Sequence, residues 1–243
     1  MNTPSDHLGT DALVHAVDHT ITTRHSVRAF LKHRDVPRCI IEDILSVACR
    51  APSGTNTQPW KVYVVSGHAR ERIVQRVCEA QHAINKGDID ASTYQENFKY
   101  YPEQWISPYI DRRRQNGWAL YGALNIQQGE KEKMAAQQLR NFKFFDAPVG
   151  LFFTVDQVMG IGAKMDIAMM MQNIMLASKA RGLDTCPQAA WNHFHTLVLD
   201  EINAPKNEVL VCAMALGYAD PDAVVNQLQT PRENLTTFSQ FLD

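Results

Sequence analysis

The stretch KMDIAMMMQNIMLASKARG (164–182) constrains the fold most strongly. Its spacing is helical, and Gly182 suits the left-handed residue that follows a helix. Its apolar residues nearly encircle the axis, so it needs cover on nearly every side and belongs at the centre of a core. The methionines read as core filler rather than a ligand surface. A chain of 243 residues can supply such a core without disulfide staples.

Two runs, APVGLFFTV (147–155) and EVLVCAMALGY (208–218), are apolar without alternation and predict buried strands. KVYVVSG (61–67) is β-rich and stops at Gly67. Residues 11–24 can form an amphipathic helix. A second helix opens at Pro37, carries Ile40, Ile41, Ile44, Leu45 and Ala48 on one side, and ends near APSG (51–54). Helices are also expected over 68–84 and from about 118 to 140. Helices come first and the three or four strands are far apart, which favours an α+β fold over a doubly wound sheet. One domain over 1–243 is expected.

Residues 85–117 differ in character. Tyr94, Phe98, Tyr100, Tyr101, Trp105 and Tyr109 alternate with prolines, and DRRR (111–114) follows. An excursion over the surface or over a site is expected. Packing is the commoner fate of such aromatics, and a solvated helix start is a plainer reading of the arginines than an anion site. The tail PRENLTTFSQFLD leaves Phe238, Phe241 and Leu242 in need of cover, for which a partner subunit is one option.

The totals exclude several classes. Net charge is −2, from 24 basic and 26 acidic residues, so nothing pulls the chain toward nucleic acid or a membrane surface. The apolar runs are too short to span a bilayer. The first ten residues show no secretory pattern. Five scattered cysteines with no CxxC suggest a reduced, cytoplasmic protein.

Motifs divide into weak and strong. MGIGAKM (159–165) has GxG, but Met165 stands at the third glycine position, so a plain strand-to-helix turn explains it. His15 and His19 lie one helical turn apart without a carboxylate partner, and read as exposed histidines. Cys186, His193 and His195 supply the parts of a thiol nucleophile, but buried structural cysteine is the default.

RHSVRAF (24–30) is harder to set aside. A phosphate monoester wants guanidinium donors and a short hydroxyl, and Arg24, Ser26 and Arg28 would share one side of an extended segment. A capping serine between solvated arginines explains that run equally well. APSGTNTQPW (51–60) adds weight to the first reading. Ser53, Asn56 and Gln58 can donate to and accept from a planar heterocycle, whereas a helix-ending loop does not call for Asn56 and Gln58 together.

In this order and at this separation, RHSVRAF and APSGTNTQPW resemble the flavin-dependent nitroreductase family. FFDAPVGLFF (144–153), ARGLDTCPQAAW (180–191) and ALGYADPDAVVNQLQTPRENL (215–235) resemble its central strand, its flavin-ring loop and its closing segment. The aromatic insert and RNFKFFDAP resemble the nitrobenzoate and nitrobenzene reductase branch. The resemblance covers about residues 20–238.

It implies a mixed sheet flanked by helices, a homodimer with a C-terminal extension onto the partner, and FMN at two interfacial sites. By position, Arg24, His25, Ser26, Arg28 and Arg232 fall on the FMN phosphate and ribityl chain. Ser53, Asn56 and Gln58 reach the ribityl chain and ring, in part from the other subunit. Pro187, Gln188, Ala189 and Ala190 lie along the ring, with a backbone N–H near flavin N5. Arg140 and Lys143 fall at the pyrimidine edge, where one positive donor is worth on the order of 2–4 kcal/mol.

The implied activity is reduction of nitroaromatics to nitroso and hydroxylamine products by ping-pong hydride transfer from NADH or NADPH, with no protein nucleophile. Two positions depart from the family pattern: Thr230 stands where some members carry lysine, and Ala189-Ala190 where glycine is common. Alternatives are a quinone or ene reductase, a dehalogenase or flavin-modifying enzyme of the same fold, a non-catalytic flavin-binding protein, and a thiol hydrolase built on Cys186.

Overall fold

The computed structural model describes residues 9–242. Of the first ten residues, read above as free of a secretory pattern, 1–8 lie outside the described residues. The helices are α1 (Thr10–Thr23), α2 (Arg38–Ala48), α3 (Gly67–Lys86), α4 (Tyr109–Ala123), α5 (Lys131–Leu139), α6 (Ile161–Lys179), α7 (His195–Glu201) and α8 (Leu235–Phe238). The strands are β1 (Lys61–Ser66), β2 (Val149–Asp156), β3 (Asp184–Gln188) and β4 (Glu208–Gly217). They form one sheet in the order β1-β2-β4-β3. Every neighbouring pair is antiparallel. The sheet is therefore wholly antiparallel rather than mixed, and the one parallel pairing among the described residues is the isolated bridge from Ser26 to Thr185 outside it.

β2 and β4 are buried along nearly their whole length, which is why their sequences do not alternate. Successive side chains still go to opposite faces. Phe152 joins Ile73, Val77, Phe144, Trp191 and Phe194 on the side of α3 and α7. Leu151 and Phe153 join Ile44, Ile167 and Ile174 on the side of α2 and α6.

α6 is less covered within one chain than its apolar composition predicts. Ala163, Ile167, Met170, Met171, Ile174 and Ala177 are buried, but Ile161 and Met165 are 79% and 65% exposed within one chain. α1 buries no residue, and Leu13, Val14, Val17 and Ile21 are exposed. Phe238, Phe241 and Leu242 are exposed as well.

Two further expectations are corrected. β3 lies where a loop is expected, because DTCPQ lacks an apolar pattern, yet it pairs with β4 from Asp184 to Gln188. The excursion is shorter than 85–117. α3 runs to Lys86, and α4 starts at Tyr109 behind Pro108, with Asp111 favourably placed in its first turn.

Residues 140–146 form a strained turn in which Phe144, Phe145 and Asp146 all have positive φ. Such conformations are rare for bulky residues. The Phe144 ring holds the turn, stacked on Trp191 with centroids 4.5 Å apart. It also lies so close over Gly150 that any Cβ there would enter the ring.

Glu208 sits at one end of the sheet with its side chain almost fully buried. It accepts hydrogen bonds from Lys61 Nζ (2.7 Å), Tyr63 Oη (2.9 Å) and Thr154 Oγ1 (2.5 Å). Burial pushes the Glu208 pKa up, but the bonds from Lys61, Thr154 and Tyr63 outweigh it and hold the pKa below 4.5. Burial and the bond to Glu208 push the Tyr63 phenol up to about 12. A carboxyl depressed in the folded state stabilises above its unfolded pKa, and that contribution is lost as pH falls through the folded one. Glu208→Gln should therefore flatten the acid limb of stability in urea unfolding at pH 7 and pH 4, and Glu208→Ala should cost about 1–3 kcal/mol by leaving the buried Thr154 hydroxyl without its acceptor. Equal acid sensitivity in wild type and Glu208→Gln would contradict this role.

Candidate functional site

Residues 24–30 run extended beside β3, with Val27 N donating to Thr185 O at 3.1 Å and Phe30 N to Phe145 O at 3.1 Å. Val27, Ala29 and Phe30 are buried, whereas Arg24, His25, Ser26 and Arg28 are half-buried. Burial alternates from Ser26 to Ala29 as expected of an extended segment, but Arg24 and His25 are equally half-buried and Phe30 is buried. Asn226 clamps the segment: its Oδ1 accepts from Arg28 N at 2.9 Å, and its Nδ2 donates to Ala29 O at 2.8 Å. Nothing in the sequence marked Asn226 for this task.

The Cys186 thiol lies within reach of the Ser26 hydroxyl and in the field of Arg28 and Arg24. Burial nonetheless pushes its pKa up to about 11. No hydrogen bond joins Cys186 to His193 or His195; its Sγ is directed at Pro187 O, 3.8 Å away. The neutral thiol is therefore a packing group beneath the arginines, not a nucleophile.

Arg24 and Arg28 have no carboxylate partner among the described residues; Arg28 Nη1 donates only to the Ser26 carbonyl at 3.2 Å. His25 Nε2 and Thr185 Oγ1 are buried without a hydrogen-bond partner. Two unneutralised guanidiniums, a hydroxyl and spare polar atoms are a donor set suited to a phosphate group.

The loop at 53–58 is built on strain and local bonds. Thr55, Asn56 and Gln58 all have positive φ, a state that clusters at ligand clamps. Ser53 Oγ accepts from Gln58 N at 3.0 Å, and Gln58 Nε2 donates to Asn56 O at 3.1 Å. Asp166 Oδ2 accepts from Gly54 N at 3.2 Å, tying the loop to α6. Asp166 is the one acid of this apolar helix, a signal the sequence reading passed over.

Within one chain the two motifs stay apart. Asp166 is near the start of α6, whereas Thr185, the partner of Ser26, follows its end. At ~1.5 Å per residue the separation along the axis is roughly 20 Å. No hydrogen bond or ion pair among the described residues links them.

β3 leads into the turn at Ala189–Phe194. The Gln188 side chain points inward, its Nε2 donating to Asn141 O at 2.7 Å, so only the backbone of Gln188 remains for a ligand. Pro187 and Ala189 are half-buried and Ala190 is exposed. Arg140 pairs with Asp146 at 2.9 Å, and Lys143 is exposed. Arg70, which the sequence reading missed, donates from Nη2 to Lys143 O at 2.7 Å, and burial lowers its pKa. Arg232 stands apart from the 24–28 segment. Its Nη1 bonds to Thr230 O, Thr230 Oγ1 and Pro231 O, and its neighbour Glu233 pairs with Arg112 of α4 at 2.8 Å.

A small sheet between helices, edged by an extended basic segment parallel to β3, defines the nitroreductase-like α+β fold. The nitroreductase family model matches residues 21–218, and the chain belongs to that family. It is 37% identical over 234 residues to a chloronitrobenzene nitroreductase of Comamonas testosteroni, covering 93% of this chain and 96% of that protein. It is 34% identical over 225 residues to a 4-nitrobenzoate reductase of Pseudomonas putida, covering 93% and 95%. A similar solved structure is the FMN- and NADPH-dependent nitroreductase NfnB of Sphigopyxis sp. strain HMH, with TM-score 0.87, 32% identity and coverage of 93% and 99%. Another is the FMN-dependent NfnB of Mycobacterium smegmatis in complex with NADPH, with TM-score 0.87, 30% identity and coverage of 95% and 100%. Among the described residues, no helix is long and apolar enough to cross a membrane.

Burial divides the cysteines: Cys39 and Cys49 are exposed, whereas Cys78, Cys186 and Cys212 are buried. A chromogenic disulfide reagent should titrate Cys39 and Cys49 in the native protein and the other three only in denaturant. Fast native labelling of Cys186 would contradict its assignment as a packing group.

Proposed function

We propose that the chain is a single FMN-binding domain that reduces nitroaromatic compounds to nitroso and hydroxylamine products with electrons from NAD(P)H. The observation that carries this reading is the pair of unneutralised guanidiniums flanking Ser26 on a segment bonded to β3. Relatives named for chloronitrobenzene, nitrobenzene and 4-nitrobenzoate support a nitroaromatic acceptor. The FMN- and NADPH-dependent neighbours support the cofactor and favour NADPH as donor.

Arg24, Ser26 and Arg28 would hold the phosphate, with His25 beside them; Arg232 is instead bonded within its own turn, to Thr230 and Pro231. The backbone at Pro187–Ala190 would face the ring. Lys143 and Arg70 would set positive charge near its edge, where a preorganised donor stabilises developing negative charge, whereas Arg140 is neutralised by Asp146. Bound there, FMN supplies the two-electron chemistry, and the protein supplies placement and electrostatics.

The site needs a second copy of the chain. The 53–58 loop lies roughly 20 Å along α6 from Ser26, so Ser53, Asn56 and Gln58 would complete the site of a partner. The exposed apolar faces of α1 and α6 and the tail residues Phe238, Phe241 and Leu242 supply surface for such a homodimer. The unpaired cysteines fit a reducing compartment, and we assign the protein to the cytoplasm.

Purified wild type should be yellow, and Arg24→Ala should lose most of its FMN, read as absorbance per protomer together with NADPH oxidation. A fully yellow, fully active Arg24→Ala protein would remove the phosphate assignment. The shared site has a sharper test. Arg24→Ala and Ser53→Ala/Asn56→Ala chains, co-expressed with different tags, should give a heterodimer with one intact site and half the wild-type FMN. A heterodimer as empty as either parent would rule out sharing.

A further inference from the structure

The DRRR run is not used by the phosphate site, and α4 carries it to a groove. Arg113, Arg114 and Lys131 line this groove with Trp118, and no carboxylate does. Trp118 is 71% exposed, an unusual state for so large an apolar ring. Gly117 and Gly122, both inside α4, line the groove too, and a Cβ at either would meet nothing within 4 Å. Interior glycines weaken a helix, and here they leave its surface flat beside the indole. Nearby cations are neutralised, Arg112 by Glu233 and Lys133 by Glu130, whereas Arg113, Arg114 and Lys131 have no acidic partner among the described residues.

The groove is connected to the proposed flavin site. Asn97 Nδ2 donates to Leu210 O at 2.8 Å, which fixes the excursion on the edge of β4 close to Ala213, the partner of Gln188. From there the rings of Tyr100, Tyr101 and Trp105 follow one another at centroid distances of 4.8 and 5.5 Å. The Arg113 guanidinium lies 4.8 Å above Trp105. Aromatic contacts thus lead from the excursion beside β4 to the cationic groove.

We propose that this groove binds the phosphorylated adenosine end of NADPH, with the purine stacked on Trp118 and the 2′-phosphate held by Arg114, Lys131 and Arg113. This rests on the reading of the chain as an NAD(P)H-dependent flavin enzyme. The required chemistry is a flat π-system joined to an anion, met by an exposed indole and guanidiniums. An aromatic carboxylate acceptor shares that chemistry, so the test carries an arm for each.

Adenosine 2′,5′-bisphosphate is titrated calorimetrically into FMN-loaded wild type, Arg114→Ala, Lys131→Ala and Arg38→Ala. Arg38 is an exposed charge control paired with Glu42 on α2. KM is measured for NADPH, NADH, nitrobenzene and 4-nitrobenzoate. Loss of Arg114 or Lys131 should weaken the bisphosphate and raise KM for NADPH about tenfold each, the scale of one charge-assisted hydrogen bond. KM for NADH and both acceptors should move less than about twofold, as should every value for Arg38→Ala.

The proposal is overturned if the bisphosphate fails to bind wild type or binds the variants equally. It is also overturned if KM rises for 4-nitrobenzoate alone, which assigns the groove to the acceptor, or if the variants change oligomeric state, which assigns it to a second copy. A wild type that oxidises neither nucleotide defeats the functional reading instead, while the bisphosphate titration still reports on the groove.

Discussion

Burial of β2 and β4 on both faces is the constraint on which the rest of the structure depends. A strand apolar on both sides needs two layers of cover. α2 and α6 provide one layer; α3, α7 and the aromatic turns at 140–146 and 189–194 provide the other. Each layer delivers part of the candidate site. α6, seated by Ile167 and Ile174, presents Asp166 to the 53–58 loop. The opposite layer wedges Phe144 against Trp191 and Gly150, which holds residues 140–146 in a backbone state they would not adopt alone.

The edge strand β3 gives that scaffold its candidate binding surface. One of its sides is taken by β4, and the other receives residues 24–30 through the Ser26–Thr185 bridge. Val27 and Ala29 anchor the segment inward, so Arg24, Ser26 and Arg28 are left at the surface. Cys186 fills the space beneath them as a neutral thiol, and the positive charge above it stays uncompensated within the protein. In the proposed function that charge is what the FMN phosphate would neutralise. In the same proposal, the division of the two motifs between opposite ends of α6 is what a second copy of the chain would bridge.

Much of this was legible in the sequence, for identifiable reasons. Long apolar runs announced β2, β4 and α6, and Pro37 and Gly67 marked element ends. The alternation in RHSVRAF placed its polar residues on one side because an extended backbone has a period of two. β3 was not legible, because a five-residue edge strand containing proline has no apolar signature. Asn226 and Arg70 were missed because each acts on backbone distant in sequence, at Arg28 and at Lys143.

By itself the sequence determined the α+β class, the segments that become β1, β2, β4 and α6, and the donor residue types that the proposed function assigns to a phosphate and a heterocycle. Those properties follow from local spacing and composition. Only the tertiary structure decided that Gln188 turns inward, that Cys186 is buried beneath arginines, that Arg113 and Arg114 join Lys131 and Trp118, and that the two conspicuous loops never meet within one chain. These depend on contacts between distant segments, which strand pairing and packing fix and no local pattern encodes.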